Sequence, residues 1–416
     1  MAHQLAMRKF RSLLWPWLGG LAVGLSLQPA SGGEAAFFVA VSAGDYDRRD
    51  TPVRVSLPNG WRHFTAMQAP GEPLVPLQVA DDGQSWFIVP KLAKRETKLY
   101  GLKVAGSPTN RVEVKRQSGE LVLSIGGRGQ ALAYRAEKLA PPRTDIKPIF
   151  TRAGYLHPIF SPSGRLITDD YPANHLHHHG LWFAWPQTHF EGRAPNFWEM
   201  GAGTGTVEAK QVAEPVSGPV WGGFLAYHQF VDLSGPAPKP ALAETWEVRL
   251  HNVGAGARPY YLFDLASAQT CASLSPVEIL QYRYGGLGVR GNWLWNGKDK
   301  ALFLTSEGET DRVKGNESRA RWCYLGGVVD GQQTGLGVLC HPDNYNAPQP
   351  LRLHPEEPFF GYAPCQLGSF SIVPGRPYTS RYRVVVFDGA PERVELDRLW
   401  NDYAHPPKAD VVMPAK

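Results

Sequence analysis

Short runs of alternating apolar and polar residues dominate this chain. FFVAV (37–41), VRVSL (53–57), WFIVP (86–90) and KLYGLKV (98–104) alternate with a period near two and are cut by GDYDRRDTP, PNG and similar clusters. Successive side chains of an extended strand point to opposite faces, so this pattern predicts half-buried strands joined by tight turns. The same style continues through RVEVKRQ and ELVLSIG, read as a hairpin, and then TWEVRLHNV, YYLFDLAS, ALFLTS, GLGVLCH, FSIVP and YRVVVF. Helical spacing is clear only in ERVELDRLWNDYAH (392–405), with Val394, Leu396, Leu399 and Trp400 as its apolar positions. The expectation is an all-β protein: a small N-terminal β-sandwich over 33–105, a linker at GSPTN (106–110), and a large antiparallel β super-sandwich over 110–405. The high counts of 44 Gly and 36 Pro fit many tight turns, since 43% hydrophobic residues are too many for a disordered chain.

The first 32 residues break this pattern. Arg8, Lys9 and Arg11 precede the apolar run SLLWPWLGGLAVGLSL and then QPASGGEA, the basic, apolar, small-residue order of a secretory signal. The run is shorter than the roughly 20 residues that span a bilayer, and Pro16, Gly19 and Gly20 interrupt it, so a stable membrane span is not expected. Cleavage after Gly32 and a periplasmic or secreted location follow. The formal charge of +5 includes those three leader cations, which leaves +2 on the mature chain and no basic stripe for nucleic acid. Cys271, Cys323, Cys340 and Cys365 match no metal or redox spacing; in an exported protein they permit two disulfides, and free buried thiols are the equal alternative.

Chemistry concentrates in 164–200. Five of the thirteen histidines, His175, His177, His178, His179 and His189, lie there with Asp169, Asp170, Glu191, Glu199, Trp182, Trp185 and Trp198. Imidazole is both a common metal ligand and the side chain that titrates near neutrality, so acid–base or metal chemistry is expected. A hydrogen-bonded, packed turn is the structural alternative. If the run is a strand, His175, His177 and His179 share one face, and an H-x-H pair can chelate a metal. HPDNYNAPQPLRLHPE (341–356) is the candidate second half of the site, contributing His341, Asp343, Asn344, Arg352, His354 and Glu356, with Asn and Arg suited to sugar hydroxyls or a carboxylate. In YRYGGLGVRGNW the glycines Gly286, Gly288 and Gly291 have dinucleotide-like spacing, but no long helix follows, so no nucleotide cofactor is expected. A tight loop there would turn Tyr284, Arg290 and Trp293 to a ligand. Glu244 and Glu199 are the carboxylates placed to act as base or third ligand.

The strings RAGYLHPIFSPSG, DDYPANHLHHHGLWFAW, YRYGGLGVRGNW, HPDNYNAPQ and YRVVVFDG together resemble an exported family of unsettled function labelled PmoA-like, or methane oxygenase-like. Its histidine signature, H-x-H-H followed by a basic residue and Gly, falls on His175, His177 and His178, with His179 where Arg is usual. The layout is similar to the galactose-mutarotase type of super-sandwich, an analogy of fold. These readings converge on an exported carbohydrate-active enzyme, a lyase, isomerase or hydrolase acting on a sugar or keto-sugar. His177, His178 and Glu244 are its expected catalytic groups. Arg152, Trp182, Arg290, Asn344 and Arg352 are the expected substrate contacts, and His175, His177 and His341 the expected ligands of a divalent metal. The alternative is a non-catalytic sugar- or metal-binding β-sandwich. The expected partner is a small molecule or oligosaccharide; the oligomeric state stays open.

Overall fold

The computed structural model describes residues 37–413 except 81 and 107; the expected leader lies outside them. The fold is all-β, built of large antiparallel sheets. One eight-stranded sheet runs, edge to edge, through Leu351–Leu353, Phe359–Tyr362, Gly286–Arg290, Leu181–Ala184, Tyr155–Ile159, Gly129–Arg135, Glu120–Ile125 and Val112–Gln117. The other runs through Gly205–Val212, Trp221–Asp232, Lys239–His251, Tyr260–Cys271, Tyr378–Asp388, Gln332–Cys340, Trp322–Val329 and Leu302–Thr305. Their inner faces share one apolar core, in which Leu123, Tyr134, Leu156 and Phe183 meet Phe224, Trp246, Val248 and Leu325. Tyr134 bridges the layers: its ring lies 4.7 Å from Phe224, and its hydroxyl meets His228 Nε2 at 2.7 Å.

The strands between 38 and 103 form two smaller sheets around a separate core that includes Val39, Val41, Val53, Val55, Phe87, Val89 and Tyr100. Among the described residues no sheet pairs a strand of 38–103 with one of 112–388. The C-terminal strand Lys408–Val412 does return to this region, pairing antiparallel along Phe38–Ser42. Buried Arg48 ties the region to helix Arg393–Ala404, meeting Asp402 at 3.0 Å and donating to the carbonyls of Ala43 and His405. That helix is the one legible from its apolar spacing, and it buries Leu396 and Leu399 against the second eight-stranded sheet.

All four cysteines carry free thiols, three of them buried. Burial pushes the Cys340 thiol up to about 11 and the Cys365 thiol up to about 12, so both stay protonated at neutral pH. No helix among the described residues is long and apolar enough to cross a membrane.

Candidate functional site

The first eight-stranded sheet is covered on both faces, which is why LWFAW reads as a continuous apolar run rather than an alternating one. Leu181 and Phe183 face the shared core, while Trp182 and Ala184 face outward and join Tyr155, Trp198 and Phe359 in a second apolar cluster. Register places Trp182, Gly288, Gly361 and Arg352 in one outward row across four neighbouring strands. The two glycines in the middle of that row leave room for the aromatic floor. A Cβ on Gly288 would come within 2.9 Å of both Trp182 and Trp198. GLGVR is therefore a buried strand, not the ligand-facing loop expected from its glycines, and Trp293 beyond it lies largely exposed.

Above this floor is a cavity of about 350 Å³ lined by Asn174, His175, His177, His178, Trp198, Glu199, Arg283, Tyr284, Arg352, His354 and Phe359. The histidine run is not a strand. Turns at 173–174 and 176–177, with the His178 N–H donating to the His175 carbonyl at 2.8 Å, fold it so that His175, His177 and His178 all reach the cavity. His179 turns inward instead, its Nδ1 2.7 Å from Asp170, which also accepts from the Tyr155 hydroxyl at 2.8 Å. Gly180 permits this descent, because a side chain there would strike the Leu156 carbonyl and the His157 side chain.

His177 Nδ1 lies 2.7 Å from Glu199 Oε2. The other oxygen of Glu199 accepts from the Gly201 N–H at 3.1 Å, capping the short turn Met200–Ala202, so the carboxylate is held before any ligand arrives. Burial is the largest single influence and pushes this carboxyl up, but the His177 ring and the Gly201 N–H together outweigh it and the group ends below the ordinary value. His178 stacks on His175 with ring centroids 4.6 Å apart and rests on Phe359 at 4.8 Å and Trp182 at 5.0 Å. Burial, reinforced by the neighbouring His177, holds His178 well below its ordinary value and lowers His175 in the same way. His354 reaches the cluster from the loop before Phe359, 5.6 Å from His175 by ring centroid. Burial and then the nearby Arg352 bring it down to about 4. Its Nδ1 accepts from the N–H of Glu357 at 3.0 Å.

The second histidine region thus divides. His354 and Arg352 join the site, whereas His341 lies elsewhere, its ring against Tyr403 at 5.0 Å. Asn344 is also apart, because its amide bonds both to the Arg381 carbonyl and to the Arg381 N–H, at 2.8 Å each. The expected metal set of His175, His177 and His341 is accordingly not assembled, and among the described residues no three His, Cys, Asp or Glu side chains form a metal-holding group. Glu244 is buried between the sheets, where it accepts from Ser267 at 2.6 Å and Gln269 at 2.9 Å and meets His228 at 2.8 Å. Arg152 is buried with its guanidinium on the carbonyls of Ala153 and Gly154. Trp182 is floor, not wall. Arg290 is fully buried behind the cavity, where Glu357 at 2.7 Å and Asn296 at 2.7 Å take its Nη2, and Asn174 bonds the other Glu357 oxygen. This latch ties the histidine loop to the strand beneath it.

Tyr284 lines the cavity as a ligand-facing residue, while Arg283, Asn174 and Phe359 line it without having been assigned to it from sequence. Phe359 opens a strand, whereas Arg283 and Asn174 lie in bends and turns with no periodic signal of their own.

Fold and site together define an all-β sandwich protein with a histidine-rich, aromatic-floored cavity on the outer face of one sheet. The chain belongs to DUF6807, a family of unknown function, whose model matches residues 121–401. That stretch contains every residue lining the cavity. No curated protein matches the chain.

Proposed function

We propose that this protein is an exported carbohydrate-active enzyme in which His177, oriented by Glu199, takes a proton from a sugar or keto-sugar carbon beside a carbonyl group. The observation that carries this reading is the His177–Glu199 contact of 2.7 Å inside a cavity walled by Trp198, Tyr284 and Phe359. A carboxylate on Nδ1 fixes the ring and leaves Nε2 with the lone pair, the arrangement of a general base. A binding module needs aromatic platforms but no such pair. Indole and phenol faces suit the apolar faces of sugar rings. Tyr284, pushed up to about 12 by burial and by Tyr282, stays an O–H donor able to protonate a leaving oxygen.

Elimination or isomerisation is favoured over hydrolysis. Glycoside hydrolysis ordinarily uses two carboxylates flanking the bond, and Glu199 is the one carboxylate in this lining. The leader-like order of residues 1–32 supports a substrate met outside the cytoplasm. A bound divalent ion is the second reading, favoured by the Nδ1 atoms of His175 and His178, which are buried without a partner in the protein.

The test is a panel of glycosides and keto-glycosides incubated in deuterated water and read by mass spectrometry for deuterium uptake or elimination products. Glu199→Gln should lower turnover by about 10²- to 10⁴-fold while the melting temperature moves by no more than a few degrees. Sugar binding without turnover in the unsubstituted protein, unchanged in Glu199→Gln, would establish a binding module instead. One ion per chain in protein purified without chelator, lost in His175→Ala, would move the reading to metal chemistry.

A further inference from the structure

Two guanidinium groups line the cavity beside the histidines, and among the described residues neither is held in an ion pair. Arg283 and Arg352 both belong to the lining. Arg352 donates to the Asn316 amide oxygen at 3.0 Å, and Arg283 lies over the rings of Tyr282 and Tyr284, with 5.8 and 5.6 Å to the centroids. Among the described residues neither meets a carboxylate within ion-pair distance, in contrast to Arg290 directly behind, whose charge Glu357 neutralises at 2.7 Å. Like charges this close repel: after burial, the charge of Arg283 is the largest influence lowering Arg352. Burial disfavours the cationic form of His175, His178 and His354, so the two guanidinium groups are the cavity's fixed positive charges. Glu199, the single carboxylate of the cavity, is already engaged by His177.

A cavity with an aromatic floor, a base and two unneutralised guanidinium groups is complementary to a sugar that carries its own negative charge. We infer that the substrate is a sugar acid whose carboxylate docks on Arg283 and Arg352 while the ring lies over Trp198 and Phe359. This rests on the reading of the cavity as a carbohydrate site and names its substrate class. A carboxylate fits better than a sulfate or phosphate ester for two reasons. It is planar and takes the guanidinium fork in paired hydrogen bonds. It also acidifies the carbon next to it, which is what a His177 base requires. In a 4-linked uronate the balance closes with no co-reactant. His177 takes the C5 proton, the C5–H electron pair becomes the C4–C5 double bond, and the C4–O bond breaks. The departing oxygen then takes a proton from Tyr284 or water. The product is an unsaturated sugar acid and a new free end.

Calorimetry on the full chain would use trisaccharides of galacturonate and of glucuronate, their methyl esters, the neutral parent trisaccharides and galactose 6-sulfate. The free acids should bind at least tenfold more tightly than their methyl esters, which remove the charge and add one methyl group to each carboxyl. Arg283→Gln and Arg352→Gln should each weaken the acids by about ten- to a hundredfold and leave the neutral sugars unchanged. Arg283 is exposed and its guanidinium bonds no other residue, so its variant should fold even if loss of the Asn316 contact disturbs Arg352→Gln. Equal affinity for acids, esters and neutral sugars would overturn the carboxylate assignment and leave the carbohydrate reading standing. Preference for galactose 6-sulfate would overturn it in favour of a sulfated substrate. Failure of every sugar to bind would overturn the carbohydrate reading and this inference with it.

Discussion

Glu199 and Glu244 both hold a histidine, at 2.7 and 2.8 Å, yet they do different work. Glu199 sits at a turn beside a cavity, with one oxygen on a backbone N–H and the other on His177. Glu244 is sealed between two sheets, where Ser267 and Gln269 bond one of its oxygens and His228 the other. Removing it would strand those partners in an apolar core. Glu244→Ala should therefore destabilise the fold by roughly 3 to 5 kcal/mol, read from the midpoint of denaturant unfolding, whereas Glu199→Gln should change turnover and scarcely move that midpoint. From sequence the two stood together as candidates, Glu244 two positions before Trp246 and Glu199 directly after Trp198. Burial and partners separate them, and neither is local information.

The strands and the one long helix were legible because each carries its own periodicity. TWEVRLH falls within Lys239–His251 and the strand after it, YYLFDLAS, within Tyr260–Cys271. Half of the site was legible too: the histidine run announces itself, and His354 and Arg352 stand in a second polar cluster. Which members of the two clusters meet was not, because sheet order decides it. Leu181–Ala184, Gly286–Arg290, Phe359–Tyr362 and Leu351–Leu353 become neighbours across long stretches of intervening chain. His341 stands only ten positions before Leu351 and is left outside. The glycine of the middle strand shows what this packing requires. Gly288→Ala would place a methyl within 2.9 Å of two indoles, and overpacking of that kind costs about 1 to 3 kcal/mol. Its unfolding followed by tryptophan emission should show that loss, together with weaker ligand binding from a lifted floor.

At the scale of the molecule, buried histidines set the response to acid. His179, His341 and His354 each come down to about 4, and His175, His178 and His251 are also lowered, in every case chiefly by burial. The unfolded chain binds protons at these rings near pH 6.5, the folded chain only at lower pH, so stability is complete above about 6.5 and falls as the pH drops toward 4. Below that, Asp170, Glu244 and Asp264 act in the same direction. Burial raises each of these carboxyls, but their hydrogen-bonded cationic or imidazole partners outweigh it, and protonation forfeits those bonds. A melting temperature that declines steadily from pH 7 to pH 5 is the expected profile; a flat one would mean that these rings are solvated. The pairing of Lys408–Val412 with Phe38–Ser42 has a consequence for biosynthesis. The outermost strand of their five-stranded sheet is made long after its neighbours, so until then Phe38–Ser42 is an unguarded edge able to pair with another nascent chain. A region made early is in this sense finished late, and a holding chaperone would find its target there.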